Sequence, residues 1–308
     1  MKNIFEPFIK EKGIIVLDGA LATELESRGA NLNHALWSAK LLQDNPQLIQ
    51  EVHADYLMAG ADIITTASYQ ASFEGFEKNE YTHQQAIELM QLSVALAMNA
   101  REDAEKKLSR TIRSLVAASV GPYGASLADG SEYRGNYGMS IEELKTFHRE
   151  RLKILIETGA DVIACETIPC INEAIALKEL LEEFPNVFAW ISFSCKDETH
   201  ICSGENFADA VQVLNQSKQI IAVGVNCTAP QYIHSLIKIA KENTDQYIII
   251  YPNKGDEWDA FDKCWLPSSN HQSHFIDDAK QWYEAGANII GGCCKTTPDD
   301  IKQLKQLF

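Results

Sequence analysis

The amino-acid sequence predicts an α/β protein that folds as a single (β/α)8 TIM barrel. Three observations lead to this fold class. Eight short apolar runs recur along the 308 residues, stretches with a helical period lie between them, and a similar glycine turn joins helix to strand at three places. Strands that alternate with helices in this number are typical of such a barrel. A doubly wound open sheet is the alternative, but no glycine-rich phosphate loop follows the first strand, as its dinucleotide-binding version requires.

The apolar runs are nearly continuous in Ile, Val and Ala, as expected of parallel strands that are buried on both faces. We therefore expect eight parallel strands covered by helices. The runs span residues 14–20, 61–67, 114–124, 160–169, 187–195, 220–227, 247–253 and 288–294.

Capping residues mark where several of the intervening helices begin and end. Asn45 before a proline predicts a helix start, and Gly60 suits the left-handed residue that ends this helix. Ser140 and Glu143 have the spacing of a capping box, and Thr297 is the predicted N-cap of the last helix. The αβ loop of a parallel unit is repeated in the sequences AGAD (59–62), TGAD (158–161) and AGAN (285–288).

Composition narrows the possible partners and the compartment. A hydrophobic content of 45% supports a sizeable core, and a net charge of −16 argues against a nucleic-acid or anionic-membrane partner. The N-terminal segment MKNIFEPFIKEKG lacks the apolar centre of a signal peptide, and no apolar run is long enough to cross a membrane. We expect a cytoplasmic protein whose eight cysteines are reduced, some of them as metal ligands.

Candidate functional residues follow from the barrel itself, because its chemistry gathers where the strands end and the βα loops begin. Two carboxylates and three cysteines are expected on this one rim. The residues at the predicted strand ends are Asp18, Gly19, Ala20, Thr65, Thr66, Ser68, Tyr69, Gly121, Pro122, Tyr123, Glu166, Thr167, Asn226, Cys227, Asn253, Cys293 and Cys294.

The three cysteines on this rim predict a zinc site. Three thiolates with one open position are typical of catalytic zinc, since structural zinc normally has four protein ligands. Adjacent strand residues point to opposite faces, so Cys293 and Cys294 can reach one ion only where the backbone turns. Gly291 and Gly292 are expected to permit that turn and a close approach to the metal.

The remaining cysteines are interpreted as structural. Cys165 precedes Glu166, so it should face the helices if Glu166 faces the barrel axis. Cys195 lies at a strand end and is the best substitute ligand if the predicted trio is wrong. No ligand spacing is apparent for Cys170, Cys195, Cys202 and Cys264.

The two rim carboxylates each have a structural alternative. Asp18 could cap the following helix, and Glu166 could pair with a lysine. Together beside a thiolate cluster they favour binding of a cationic group. His271 and His274 are interpreted as solvent-exposed loop residues, and the loop at 255–265 is either a mobile cover over the rim or an ordinary βα loop.

Seven sequence blocks resemble the zinc-dependent homocysteine S-methyltransferases, and GxNC followed by GGCC is the most specific of them. The resemblance covers essentially the whole chain in family order, and it is closest to the stand-alone branch that uses S-methylmethionine or S-adenosylmethionine. The chain differs from the expected pattern at 253–256, where it reads NKGD in place of NSGE. The blocks are DGALATELE (18–26), TASYQAS (66–72), GPYGA (121–125), ETIP (166–169), GVNC (224–227), YPN (251–253) and GGCC (291–294).

This resemblance implies a set of site residues. Zinc would be held by Cys227, Cys293 and Cys294, and no catalytic residue is expected beyond the metal site. Asp18 and Glu166 would hold the ammonium group of homocysteine. Further expected substrate contacts are Gly19 and Asn253, and possible contacts to the methyl donor by cation–π interaction are Tyr69, Tyr123 and Trp258.

The implied activity is transfer of a methyl group from a sulfonium donor to the thiolate of L-homocysteine, which gives methionine. Residues 1–308 would form a single homocysteine-binding barrel domain, with no cobalamin or folate domain. Two alternatives remain. The acceptor could be another thiol or a selenol such as selenocysteine, or the barrel could be a non-catalytic zinc or redox sensor. A sensor has no need of carboxylates that hold an amino acid.

Overall fold

The structure is a computed structural model, which describes residues 3–31, 38–254, 257–259, 264–266 and 275–308. It contains ten strands in the described part of the chain. In chain order they are β1 (Ile15–Val16), β2 (Ile63–Thr65), β3 (Leu115–Val120), β4 (Val162–Ile168), β5 (Ala189–Phe193), β6 (Ile220–Asn226), β7 (Tyr247–Tyr251), β8 (Glu257–Asp259), β9 (Cys264–Leu266) and β10 (Ile289–Ile290).

Helices occupy most of the sequence between these strands, and a short 3-10 helix (Ser131–Tyr133) follows β3. The α-helices are α1 (Glu6–Lys12), α2 (Leu21–Ser27), α3 (Ser38–Asp44), α4 (Pro46–Ala59), α5 (Phe73–Lys78), α6 (His83–Glu105), α7 (Tyr123–Leu127), α8 (Ile141–Glu157), α9 (Ile171–Glu182), α10 (Phe207–Gln212), α11 (Pro230–Asn243), α12 (Phe275–Ala285) and α13 (Pro298–Leu307).

The eight predicted strands form one parallel sheet that closes on itself. Their order is β1-β10-β7-β6-β5-β4-β3-β2. A parallel bridge between Leu17 and Ile63 joins the two ends of this series, and the Asp18 N–H donates to the Ile63 carbonyl at 3.0 Å. The (β/α)8 barrel is therefore confirmed, and the doubly wound alternative is wrong. Strands β8 and β9 pair antiparallel outside the barrel.

The predicted helix signals are present in the structure. The Asn45 side chain accepts a hydrogen bond from the Leu48 N–H at the start of α4. Capping boxes begin α8 at Ser140 and α13 at Thr297. The three repeated turns each place their glycine in the left-handed region, with φ of 116°, 80° and 123° at Gly60, Gly159 and Gly286.

The barrel interior is filled from the end at which the strands begin. Leu17, Ile63 and Trp190 form one buried cluster with Phe5 and Phe8, two aromatic residues at the N-terminal helix α1. A second, larger layer lies between the sheet and the surrounding helices, and it contains Cys165. This placement confirms that Cys165 faces outward from the barrel. Because apolar side chains fill the amino end, a concave site can form where the strands end.

The described part of the chain contains no helix that is both long and apolar enough to cross a membrane.

Candidate functional site

A cleft lies at the carboxyl ends of the barrel strands, as the fold predicts. It encloses about 830 Å³ of empty space including its mouth. Its described lining residues include no lysine, arginine or histidine. They are Asp18, Gly19, Ala20, Leu21, Ala22, Thr23, Thr65, Thr66, Tyr69, Gln70, Ser119, Glu132, Tyr133, Glu166, Thr167, Asn226, Cys227, Tyr251, Gly292, Cys293 and Cys294.

The three cysteines predicted as metal ligands lie together in this cleft. Their sulfur atoms are all within 4.8 Å of one another, and they are the only such His, Cys or acidic group found among the described residues. Cys293 Sγ and Cys294 Sγ are 3.9 Å apart. Cys227 and Cys293 are joined as a disulfide, which differs from the expectation of eight reduced thiols. Sulfurs near enough to bind one ion are also near enough to be oxidised to a disulfide.

The cysteine cluster fits a metal ion once its thiols are reduced. Zinc–sulfur bonds of about 2.3 Å in a tetrahedral arrangement place two sulfurs about 3.8 Å apart, close to the observed Cys293–Cys294 separation. Burial raises the pKa of Cys294 to about 12, so a cation is needed to hold this sulfur as a thiolate at neutral pH. No basic side chain among the described lining residues supplies that charge.

The backbone turn that brings Cys293 and Cys294 to one place differs from the predicted one. Gly291 and Gly292 do not adopt positive φ; the left-handed residue is Lys295, with φ of 70°. The two glycines are needed for space. A Cβ added to Gly291 would lie 2.6 Å from Leu17 Cβ, and one added to Gly292 would lie 2.4 Å from Thr296 Cβ.

Cys227 is positioned by the end of β6. Its φ of 46° lies in the left-handed region, and its N–H donates to the Tyr251 carbonyl at 3.2 Å. The next residue, Thr228, donates its hydroxyl to the Asn226 carbonyl at 2.9 Å and accepts from the Cys195 N–H at 2.9 Å. Cys195 thus contributes a backbone hydrogen bond at the end of β6, and its sulfur is outside the three-cysteine cluster.

Asp18 lies on the cleft wall with its carboxylate held in place. Its side chain is 3% exposed. It accepts hydrogen bonds from the Thr65 N–H at 2.7 Å and from the Thr65 hydroxyl at 3.0 Å. The Asp18 carbonyl accepts from the Gly292 N–H at 3.1 Å. This one residue therefore connects β1 with β2 and with the turn that carries two of the cysteines.

Glu166 reaches the same cleft from β4 and is 9% exposed. It accepts a short hydrogen bond from the Ser119 hydroxyl. The following residue, Thr167, has a left-handed φ of 62°. The Asn226 side chain holds it there by accepting from the Thr167 N–H at 2.7 Å and donating to the Thr167 hydroxyl at 2.8 Å.

The two carboxyls make the inner part of the cleft suited to a cation. Burial raises the pKa of Asp18 well above its usual value, and the Glu166 charge adds to the shift. Burial likewise raises the pKa of Glu166, against hydrogen bonds from Ser119 and Tyr251. A positively charged ligand offsets the free energy that is lost when such carboxylates are buried.

The other predicted substrate and donor contacts are only partly at the cleft. Gly19 and Tyr69 line it, whereas Asn253 and Tyr123 are not among its lining residues. The Asn253 N–H donates to the Thr228 carbonyl, and the Tyr123 ring packs edge-on against Tyr137 and Phe147. Other predicted positions lie outside the described residues: His271, His274 and the side chain of Trp258. Of the loop at 255–265, only the backbone of β8 and β9 is described.

Lining residues that the sequence reasoning did not select come mainly from the long loop after β3. Glu132 and Tyr133 lie on its 3-10 helix and reach the cleft, where Gln70 from the preceding βα loop also lies. The loop sequence ADGSEYRG contains turn residues, which predict a loop but not its path back to the barrel axis. The sequence feature that could have identified Glu132 and Tyr133 is a carboxylate next to an aromatic residue in a βα loop.

Comparison with known proteins agrees with the resemblance found in the sequence. Residues 15–308 match the family model described as homocysteine S-methyltransferase. The chain belongs to this family. Homocysteine S-methyltransferase YbgG of Bacillus subtilis is 52% identical over 295 residues, which cover 94% of this chain and 93% of that protein. The selenocysteine Se-methyltransferase of Brassica oleracea var. italica is 44% identical, over 95% of this chain and 88% of its own.

Solved structures of a family member share the fold. The crystal structure of the homocysteine methyltransferase MmuM from Escherichia coli in its metallated form has a TM-score of 0.90 and 43% sequence identity, and covers 99% of both chains. A structure of the same protein in an oxidized form has the same TM-score, identity and coverage. The motifs quoted from the sequence therefore identified the family correctly.

The tight packing around Gly292 gives a test of the cysteine turn. Gly292→Ala places a methyl group against Thr296 Cβ, which no side-chain rotation can move away. We expect zinc affinity of the reduced protein to fall at least about ten-fold, as is typical when groups that orient metal ligands are disturbed, with an unchanged circular dichroism spectrum. Gly29→Ala, where an added Cβ meets nothing within 4 Å but the φ of 87° is strained for alanine, is the control for backbone strain alone and should bind zinc like the wild type. Equal affinity in Gly292→Ala would contradict this role of the glycine.

Proposed function

We propose that this chain is a zinc-dependent methyltransferase that moves a methyl group from S-methylmethionine or S-adenosylmethionine to homocysteine and so forms methionine. One observation carries the proposal. Three cysteine sulfurs within 4.8 Å and the buried carboxyls of Asp18 and Glu166 line the same cleft. A site of this kind suits a ligand that has both a thiol and an ammonium group. Residues 1–308 would act as one homocysteine-binding unit.

The acceptor needs help to react, because a free alkyl thiol has a pKa of about 8.5 and is mostly protonated at neutral pH. Zinc held by Cys227, Cys293 and Cys294 would supply a Lewis acid that favours the thiolate form of the substrate. The contribution of the chain is to place the three sulfurs, through the close packing of Gly291 and Gly292 against Leu17 and Thr296 and through the left-handed Cys227.

Asp18 and Glu166 would fix the other end of homocysteine. Their carboxylates are already hydrogen-bonded to Thr65 and Ser119 before substrate arrives. Both are buried, so an ammonium group placed between them would be held in one orientation relative to the sulfurs. Such prior positioning lowers the entropic part of the activation barrier.

The transfer itself requires no general acid or base. The homocysteine sulfur forms a bond to the methyl carbon, and the bond between that carbon and the donor sulfur breaks with its electron pair going to the donor sulfur. The donor leaves as a neutral thioether and the acceptor becomes methionine. The half-buried tyrosines Tyr69 and Tyr133 on the cleft wall are suited to face a sulfonium by cation–π contact.

A selenol acceptor is the second candidate. The relative from Brassica oleracea is named a selenocysteine Se-methyltransferase and is 44% identical to this chain. The cysteine cluster and the two carboxyls would serve selenocysteine as they serve homocysteine, since both are amino acids with a soft nucleophile. Comparison of kcat/KM for the two acceptors, with S-methylmethionine as donor, decides between them.

The proposed activity is tested with reduced, zinc-loaded protein. Homocysteine and S-methylmethionine should give methionine, whereas betaine or methyltetrahydrofolate should be poor donors. Cys294→Ser should lose both zinc and activity while the barrel stays folded, because apolar packing and not the ion holds the barrel together. Cys170→Ser changes a cysteine outside the cluster, at the N-cap of α9, and should keep both. Turnover with methyltetrahydrofolate alone would exclude a sulfonium donor as the source of the methyl group.

The carboxyls should matter for homocysteine and not for metal. Asp18→Asn and Glu166→Gln keep the shape and remove the charge, so zinc content should remain at about one per chain. A charge-assisted hydrogen bond contributes about 1.5–3 kcal/mol, which corresponds to a rise of about ten- to a hundred-fold in the KM for homocysteine. Steady-state kinetics with varied homocysteine measures this rise.

The control for these variants is 4-mercaptobutyrate, which lacks the amino group. It should be a poor substrate of the wild type, and Asp18→Asn and Glu166→Gln should lose little further activity with it. Equal losses with homocysteine and with the analogue would mean that the two carboxyls do not hold the ammonium group.

A further inference from the structure

Glu132 is a third carboxyl in the cleft that the activity described so far does not use. It lies on the 3-10 helix after β3 and its side chain is 7% exposed. Its backbone is fixed on two sides. The Ser194 hydroxyl donates to the Glu132 carbonyl at 3.1 Å, and a Cβ added to Gly124 would lie 2.5 Å from the Glu132 nitrogen. The loop thus packs closely against the barrel at this residue.

One oxygen of this carboxyl has no partner among the described residues. Glu132 Oε2 is buried and accepts no hydrogen bond from them, although Glu132 lines the cleft. A buried acceptor left without a donor lowers the stability of the fold, so such a group at a cleft wall points to a ligand that supplies the donor. Burial raises the pKa of Glu132 to about 7, and the charge of Arg134 offsets only a small part of this shift.

Glu132 is separate from the two carboxyls assigned to homocysteine. Asp18 follows β1 and Glu166 lies on β4, and they accept hydrogen bonds from Thr65 and Ser119. Glu132 lies on the loop after β3, where its carbonyl accepts from the Ser194 hydroxyl after β5. Burial first, and then the Glu132 charge, raise the pKa of Tyr69, and Glu132 also contributes at Tyr133 and Cys294. The cleft therefore has two anionic regions, with the cysteine cluster in the same space.

The proposed reaction brings two amino acids into this cleft. The acceptor has one ammonium group, and a donor such as S-methylmethionine has an ammonium and a sulfonium group. The sulfonium loses its charge during transfer and has no N–H to donate, so a carboxylate against it would stabilise the reactants more than the transition state. An ammonium group keeps its charge throughout and supplies the hydrogen-bond donor that Glu132 Oε2 lacks.

We infer that Glu132 binds the α-ammonium group of the methyl donor, and so selects donors that are amino-acid sulfonium compounds. This inference rests on the proposed methyltransferase function and adds a specificity-determining residue to it. Homocysteine would be held at Asp18 and Glu166, and the donor at Glu132, with the reacting sulfur atoms between the two anchors.

The test compares S-methylmethionine with dimethylsulfoniopropionate, a sulfonium carboxylate that lacks the carbon atom bearing the amino group. Glu132→Gln keeps the side-chain shape and removes the charge. We expect the KM for S-methylmethionine to rise about ten- to a hundred-fold, with the KM for homocysteine unchanged. Against dimethylsulfoniopropionate the variant should change less than about three-fold. Where this donor reacts too slowly, its inhibition constant against S-methylmethionine replaces the KM.

The matched control is Asp129→Asn, which removes a carboxylate from the same loop. Asp129 is 55% exposed and pairs with Arg134, and an asparagine can still accept from the Ser131 N–H. This variant should behave as wild type with both donors. Thermal unfolding of Glu132→Gln should match the wild type or exceed it, because no hydrogen bond to Oε2 is lost.

Two results would overturn the inference. Equal losses with both donors would mean that Glu132 does not recognise the ammonium group, and a rise in the KM for homocysteine would assign Glu132 to the acceptor. Wild-type protein supplies a further check without any variant, since it should favour S-methylmethionine over dimethylsulfoniopropionate by at least about ten-fold in kcat/KM, and equal use of both donors would also overturn the inference. Failure of the proposed function is distinct: wild-type protein would then form no methionine from either donor.

Discussion

The site depends on one constraint, the common direction of eight parallel strands in a closed barrel. Because every strand ends at the same rim, residues far apart in sequence meet there. Cys227 and Cys293 are 66 residues apart in the chain, and their Cα atoms are 5.6 Å apart in the structure. Closure of the sheet between β1 and β2 places Asp18 against Thr65 in the same way.

Backbone geometry then converts this rim into a site with defined directions. Thr167 and Cys227 are left-handed residues directly after Glu166 and Asn226. The Asn226 amide connects these two strand ends by its hydrogen bonds to Thr167. Asn226 therefore links two parts of the site. Its side chain bonds the residue after Glu166, and Cys227 is the next residue in its own strand end. Disturbing Asn226 would move both.

Sequence reasoning predicted the residues whose positions follow from the strand pattern. The eight strands, the glycine turns, Asp18, Glu166 and the three cysteines are all of this kind, because a strand end in a barrel has a known place.

The direction in which a side chain points from a strand end was harder to predict. Tyr123 and Asn253 are next to strand ends but do not line the cleft. Gly291 and Gly292 were expected to allow a turn, and they instead leave room for Leu17 and Thr296. Glu132 was missed because its place depends on packing against Gly124 and Ser194, which periodicity does not encode.

We propose that Cys227, Cys293 and Cys294 bind one zinc ion and leave a position for the sulfur of homocysteine. Zinc K-edge X-ray absorption of the reduced, loaded protein tests this zinc site most directly. We expect three sulfur ligands and one nitrogen or oxygen ligand without substrate, and four sulfur ligands when homocysteine is added. A shell of four sulfurs before homocysteine is added, or a shell that homocysteine leaves unchanged, would contradict it.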